Sequence, residues 1–290
     1  MQLRLSLVSF VGLAVLSGCG GGGEGGNATG AGPVDPIDVA LAFEARVGDA
    51  AFDCKATHPD LGTAGTEASI TDFRLYVHDV RLRRADGTTV PVELEQDGLW
   101  QHENLALLDF EDRTGACANG TPETNATLHG TAERGTYDGV SFKLGVPFEL
   151  NHGDAAAAPS PLNLTAMFWS WNGGYKFFRA DALPEGSMTA FNVHIGSLGC
   201  QADASGKVTS CDRPNRAEIT LTGFDPLAQK VIIDYAALVA GIDLSKDAGG
   251  APGCMSGPDD PECVTIFDRL GIDIQDGTLH PDAQKLFRVE

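Results

Sequence analysis

The sequence predicts an all-β chain, an antiparallel sandwich or barrel carrying a short helical, disulfide-pinned appendage at its C-terminal end. Three observations carry this. Short runs alternate apolar and polar residues with the period of a half-buried strand. Turn formers, 36 Gly and 15 Pro among 290 residues, punctuate those runs, and no long helical period competes with them. Six cysteines follow the first 19 residues, an even number suited to disulfides in an exported chain.

Taken in order, residues 1–18 place one Arg before an apolar run, which is the pattern of a signal peptide. Leu-Ser-Gly-Cys at its end resembles a bacterial lipobox, which implies Cys19 as a lipidated mature N-terminus. Residues 19–36, "CGGGGEGGNATGAGPVDP", suit a tether better than a fold. The expected location is therefore the periplasm or cell surface, anchored to the outer membrane as a lipoprotein.

Residues 37–290 show no repeat and no composition break, so a single domain is expected. "DVALAFEARVG" reads as a first strand. "ITDFRLYVHDVRLRRADGTTVPVEL" reads as two strands around the turn "ADGT". "WQHENLALLDF", "NATLHGTA" and "GTYDGVSFKLGV" continue the series. "NLTAMFWSWNGGYKFFRADA", "MTAFNVHIGS", "AEITLTGF" and "QKVIIDYAAL" complete it. "DYAALVAGIDLS" reads as a short helix, and "CVTIFDRLGI" as another, with apolar residues at three-to-four spacing. Short loops favour the bridges Cys200–Cys211 and Cys254–Cys263, leaving Cys54–Cys117 as a long staple. A zinc or thiolate-copper site is the rival use, but the chain has no C-x-x-C.

A net charge of −20 argues against nucleic acid and against lying flat on anionic lipid. G-x-S-x-G, C-x-x-C-H, a Walker loop and H-E-x-x-H are all missing. "DASGKVTSCD" lacks the acidic rhythm and final Glu of a calcium loop. The 40 acidic residues single out no carboxylate pair.

Histidine remains. His58, His129 and His280 read as surface residues beside prolines or in a turn. His78 and His194 fall inside strands. In "GLWQHENLALLDFED" the spacing puts Trp100 and His102 on one strand face. His152 follows at a strand end, about fifty residues on.

"LALLDFEDRTGACANGTPETN", "GVSFKLGVPFELNH", "PLNLTAMFWSWNGGYKFFRAD" and "FNVHIGSLGC" closely resemble the MbnP family over about residues 37–270. The resemblance implies an exported copper-binding protein, not an enzyme, with a β-rich fold. Its implied partner is a dihaem cytochrome c peroxidase-like protein that oxidises a tryptophan to kynurenine. Distant surface copper proteins of methane oxidisers use a Trp-x-His segment and a later histidine. That resemblance implies Trp100, as kynurenine, with His102 and His152 as copper ligands; His194, inside a strand, is the reserve ligand. Trp169 and Trp171 offer a rival segment, either an aromatic core strand or one whose tryptophan relays electrons to the oxidising partner or is itself modified. An enzyme with an unrecognised carboxylate site and a metal-free envelope or adhesion protein are the alternatives.

Overall fold

A computed structural model describes residues 35–170 and 173–290. The expected signal peptide, Cys19, nearly all of the expected tether and Trp171 lie outside the described residues. In chain order the elements used below are β1 (Ile37–Val47), β2 (Thr66–Arg83), β3 (Gln101–His102), β4 (Leu105–Asp109), β5 (Thr127–Ala132) and β6 (Gly139–Leu144). Then come α1 (Phe148–Asn151), β7 (Phe168–Ser170), β8 (Gly174–Tyr175), β9 (Phe178–Pro184), β10 (Phe191–Ile195), β11 (Leu198–Ala202) and β12 (Val208–Arg213). Last are β13 (Glu218–Thr222), β14 (Val231–Asp234), α2 (Tyr235–Val239), α3 (Pro261–Leu270) and β15 (Phe287–Val289).

Two open sheets face each other, and neither closes into a barrel. The smaller runs β15-β14-β1-β5 and ends on Glu93–Leu94. The larger runs β13-β6-β2-β9-β10, with Gly253–Cys254 at its far edge and β4 and β3 added beside β2. In β1 the alternation works as the pattern predicts. Val39, Leu41, Phe43, Ala45 and Val47 are buried, and the residues between them are not. Phe73 of β2 lies at the centre of the interlayer core, edge-on to Phe52, Phe110, Phe178 and Tyr235.

Two pairings depart from the antiparallel expectation. β1 runs parallel to β14, and β10 runs parallel to Gly253–Cys254. Both join segments far apart in sequence, where a connection long enough for a crossover is available.

β2 is buried on both faces from Asp72 to Val80 apart from Asp79. Phe73, Leu75 and Val77 enter the interlayer core. Tyr76, on the other face, joins a second apolar cluster with Leu105, Leu107, Val146, Met167, Tyr175 and Phe177. This outer cluster is what positions the candidate sites.

All three bridges form as the loop lengths favour: Cys54–Cys117, Cys200–Cys211 and Cys254–Cys263. The last ties the edge strand to α3 and so pins the appendage. Asp260 caps α3 by accepting from Glu262 N, Pro261 starts it, and Gly271 ends it at φ 73°. No described helix is long and apolar enough to cross a membrane.

Candidate metal centre

The "WQH" segment forms a tight hairpin. Gln101 pairs with Ala106, and His102 with Leu105. Leu107 N donates to Trp100 O at 2.9 Å, which extends the ladder by one residue. Glu103 takes the left-handed turn position at φ 53°. Cross-strand partners share a face, so Trp100 and His102 project with Leu107 and Leu105 toward the outer cluster. Trp100 packs against that cluster, and His102 lies at its rim, 3.7 Å from the Glu103 carboxylate.

Gln101 points the other way and is buried. Its amide donates to Glu95 O and His129 O and accepts from His129 N. Gln101→Leu leaves the His129 N–H and the Glu95 and His129 carbonyls without these partners. It is expected to cost about 2–3 kcal/mol in chemical denaturation.

His152 follows α1 as its C-terminal cap. The residue before it, Asn151, is buried and grips the β7–β8 hairpin: its Oδ1 accepts from Tyr175 N at 3.0 Å. The His152 ring stands edge-on to Phe148, with centroids 5.2 Å apart, and its Nε2 lies 3.5 Å from Cys211 Sγ. Among the described residues, His152, Cys200 and Cys211 form the only group of three such donors close enough to share an ion. Those two sulfurs are bonded to each other, so as the chain stands they are not thiolates.

His194 has a different setting. Across the larger sheet, Asp109, Arg74, Arg179 and His194 fall in one register row on β4, β2, β9 and β10. Asp72 and Asp181 form the next row. His194 Nε2 meets Asp181 Oδ1 at 2.7 Å, while the buried Nδ1 has no hydrogen-bond partner. Burial pushes the Asp181 carboxyl up. Its hydrogen bond to His194 and the nearby Arg179 outweigh this and hold it below the usual carboxylate range.

Trp169 meets the edge of the His194 ring, with centroids 6.1 Å apart. Two features aim it there. The β7–β8 register slips between Phe168 and Ser170, so Trp169 sits in a bulge, the device that redirects a side chain. Gly196 supplies the space, since a Cβ there would lie 3.1 Å from the indole.

The ladder limits which histidines can share an ion. His102 and His194 stand on opposite flanks of β4, β2 and β9, four strand spacings apart, roughly 19 Å laterally. They cannot bind one metal. His194 therefore stands apart from the Trp100–His102 pair and is no reserve ligand for it.

The sequence matches MbnP over residues 36–256. The chain belongs to the MbnP family. Among solved structures it is similar to "MbnP from Methylosinus trichosporium", at 32% identity and a TM-score of 0.79. The match covers 88% of this chain and 99% of that one. No curated protein matches it.

Placed on this MbnP fold, the remaining histidines sort by environment. His58 does not lie on the surface: it is buried in the strand Thr57–Leu61, and burial pushes its pKa down. His78 is buried as well and pushed down to about 4 by burial, Arg216 and Lys143. His129 and His280 are exposed as expected.

What sequence reasoning missed in this MbnP chain is the buried charge cluster. Asp72, Arg74, Asp109 and Glu111 are each 1% exposed or less. The available signal was Asp72-x-Arg74, Asp109-x-Glu111 and Arg179-x-Asp181, charges at strand spacing inside apolar runs.

Proposed function

We propose that this MbnP-family protein is an exported copper-binding protein, not an enzyme. Its tryptophan hairpin is oxidised by a dihaem partner, and His194 anchors the metal. One observation carries the choice of His194: a buried imidazole whose Nε2 is held by a carboxylate while Nδ1 is unpartnered, edge-on to Trp169. Metal-binding histidines have this arrangement, because the carboxylate fixes the tautomer and orients the ring. Neutral imidazole suits copper.

The residues fit the group, with one change required. An unmodified indole is a poor ligand, because its nitrogen lone pair belongs to the ring and its N–H only donates. Oxidative opening to kynurenine, with two oxygens gained and one carbonyl lost, yields an aryl amine and a ketone that can ligate. Trp169 and Trp171 share the segment that would carry this change. Bound copper would supply the cargo or redox role. The chain's own residues orient His194 through Asp181 and make room for the Trp169 ring at Gly196. Storage, delivery or sequestration of copper in the periplasm, by a lipid-anchored chain, is the role that follows.

A second reading keeps the centre at Trp100, His102 and His152. It is favoured by Trp100 and His102 sharing one face over the outer cluster. A copper titration of protein made with and without its dihaem partner tests the metal reading. Stoichiometric binding is expected only from the co-produced protein. No stoichiometric binding in either sample removes copper from the account.

A further inference from the structure

His152 stands beside sulfur. Its donor atoms and those of Cys200 and Cys211 all lie within 4.8 Å of one another. Cys200 and Cys211 face each other across the β11–β12 hairpin, directly opposed in the ladder. Cys54, Cys117, Cys254 and Cys263 are at most 3% exposed, and Cys200 is 9% exposed. Cys211 alone among the six is only partly buried. A hollow of about 430 Å³, lined by Phe148, Glu149, His152, Gly153, Lys207 and Val208, opens beside the imidazole. It gives a small reductant or a cation a way in to the imidazole.

We propose that the Cys200–Cys211 bridge is reducible, and that its dithiol form joins His152 in a three-donor site for a thiophilic cation of the copper(I) or zinc(II) class. Two thiolates and one imidazole are the donors such ions prefer, and three protein ligands leave a fourth position open. The chemistry balances with a dithiol as reductant. Its two electrons and two protons break the Cys200–Cys211 S–S bond and give two thiols, and the dithiol leaves as its own disulfide. Metal binding then releases both thiol protons to solvent.

The hairpin keeps the donors together in either state, because the flanking pairs Leu198–Arg213 and Gln201–Ser210 hold its register. The site is separate from the His194 centre and goes beyond the copper reading above. Either can fail without the other.

The test treats the full folded chain with limiting phosphine and follows it with cobalt(II) as the spectroscopic probe. Alkylation and peptide mapping should show Cys200 and Cys211 reduced before any other pair. A thiolate-to-cobalt charge-transfer band should then appear, be displaced by zinc(II), and be absent from oxidised or alkylated protein. His152→Ala should weaken cobalt binding by more than about tenfold, with His152→Gln as a second variant should the first misfold. Reduction that begins at another bridge, no band after reduction, or a band equally strong without His152 each overturns the proposal.

Discussion

Arg74→Met is expected to destabilise the protein by about 3–5 kcal/mol, the range for removing one partner of a buried ion pair. Arg74 is fully buried on the outer face of β2. Its Nε donates to Asp72 Oδ1 at 2.8 Å, a second nitrogen pairs with Asp72 Oδ2, and Nη1 lies 3.4 Å from Glu111 Oε1. Asp109 faces it directly across the ladder. Methionine fills the volume but leaves three carboxyl groups around one lost cation. Arg179, 3.1 Å from Asp72, compensates only that carboxylate.

The same cluster sets the pH dependence. Burial raises the Asp109 carboxyl from 3.8 to about 8, against the pull of Arg74. Burial likewise raises Glu111 from 4.5 to about 7. Between these limits the folded chain holds protons that the unfolded chain releases. Stability from this pair is therefore complete below about pH 4, declines as pH rises, and is lost by about pH 8. Urea denaturation at pH 5 and pH 8 should show the wild type weaker at pH 8 and Arg74→Met weaker still. Equal midpoints at both pH values would show that these carboxyls ionise in the fold as they do in solution.

His194→Ala is expected to abolish stoichiometric copper binding by protein made with its partner. Asp181→Asn should weaken binding by about 10–100-fold, the usual effect of losing the group that orients a ligand histidine. His280→Ala, at an exposed position, is expected to change neither. The split between the first two variants carries information. A ring that only packs would lose stability with Ala, yet would leave copper affinity insensitive to Asp181. Isothermal titration of the three variants beside far-UV circular dichroism separates the cases. Full copper binding by folded His194→Ala would move the centre to His102 and His152.

Much of the fold was legible because it rests on local physics. Period-two burial in β1, the "ADGT" turn after β2, and the Asp260–Pro261 start and Gly271 stop of α3 are each written in a few adjacent residues. The three bridges followed from loop length. The parallel joining of β1 to β14 was not legible, since no local pattern says which strand a distant one will meet. The near-continuous burial of β2 was hidden for the same reason. Only the outer cluster, assembled from Tyr76, Leu105, Val146 and Tyr175, explains why both of its faces are dry.

The candidate site divided along the same line. Spacing placed Trp100 and His102 correctly on one face. It could not show that His152 ends beside a disulfide, or that His194 carries a carboxylate on its far nitrogen. Trp169 reached His194 through a bulge, and a bulge breaks the very alternation that sequence reading relies on.

Peptide mass mapping of protein produced with its dihaem partner tests the central claim most directly. The account predicts the mass gain of kynurenine, two oxygens in and one carbonyl out, on the peptide containing Trp169 and Trp171. Trp100 should be unmodified. A gain on the Trp100 peptide, or none on any of the three tryptophans, would contradict it.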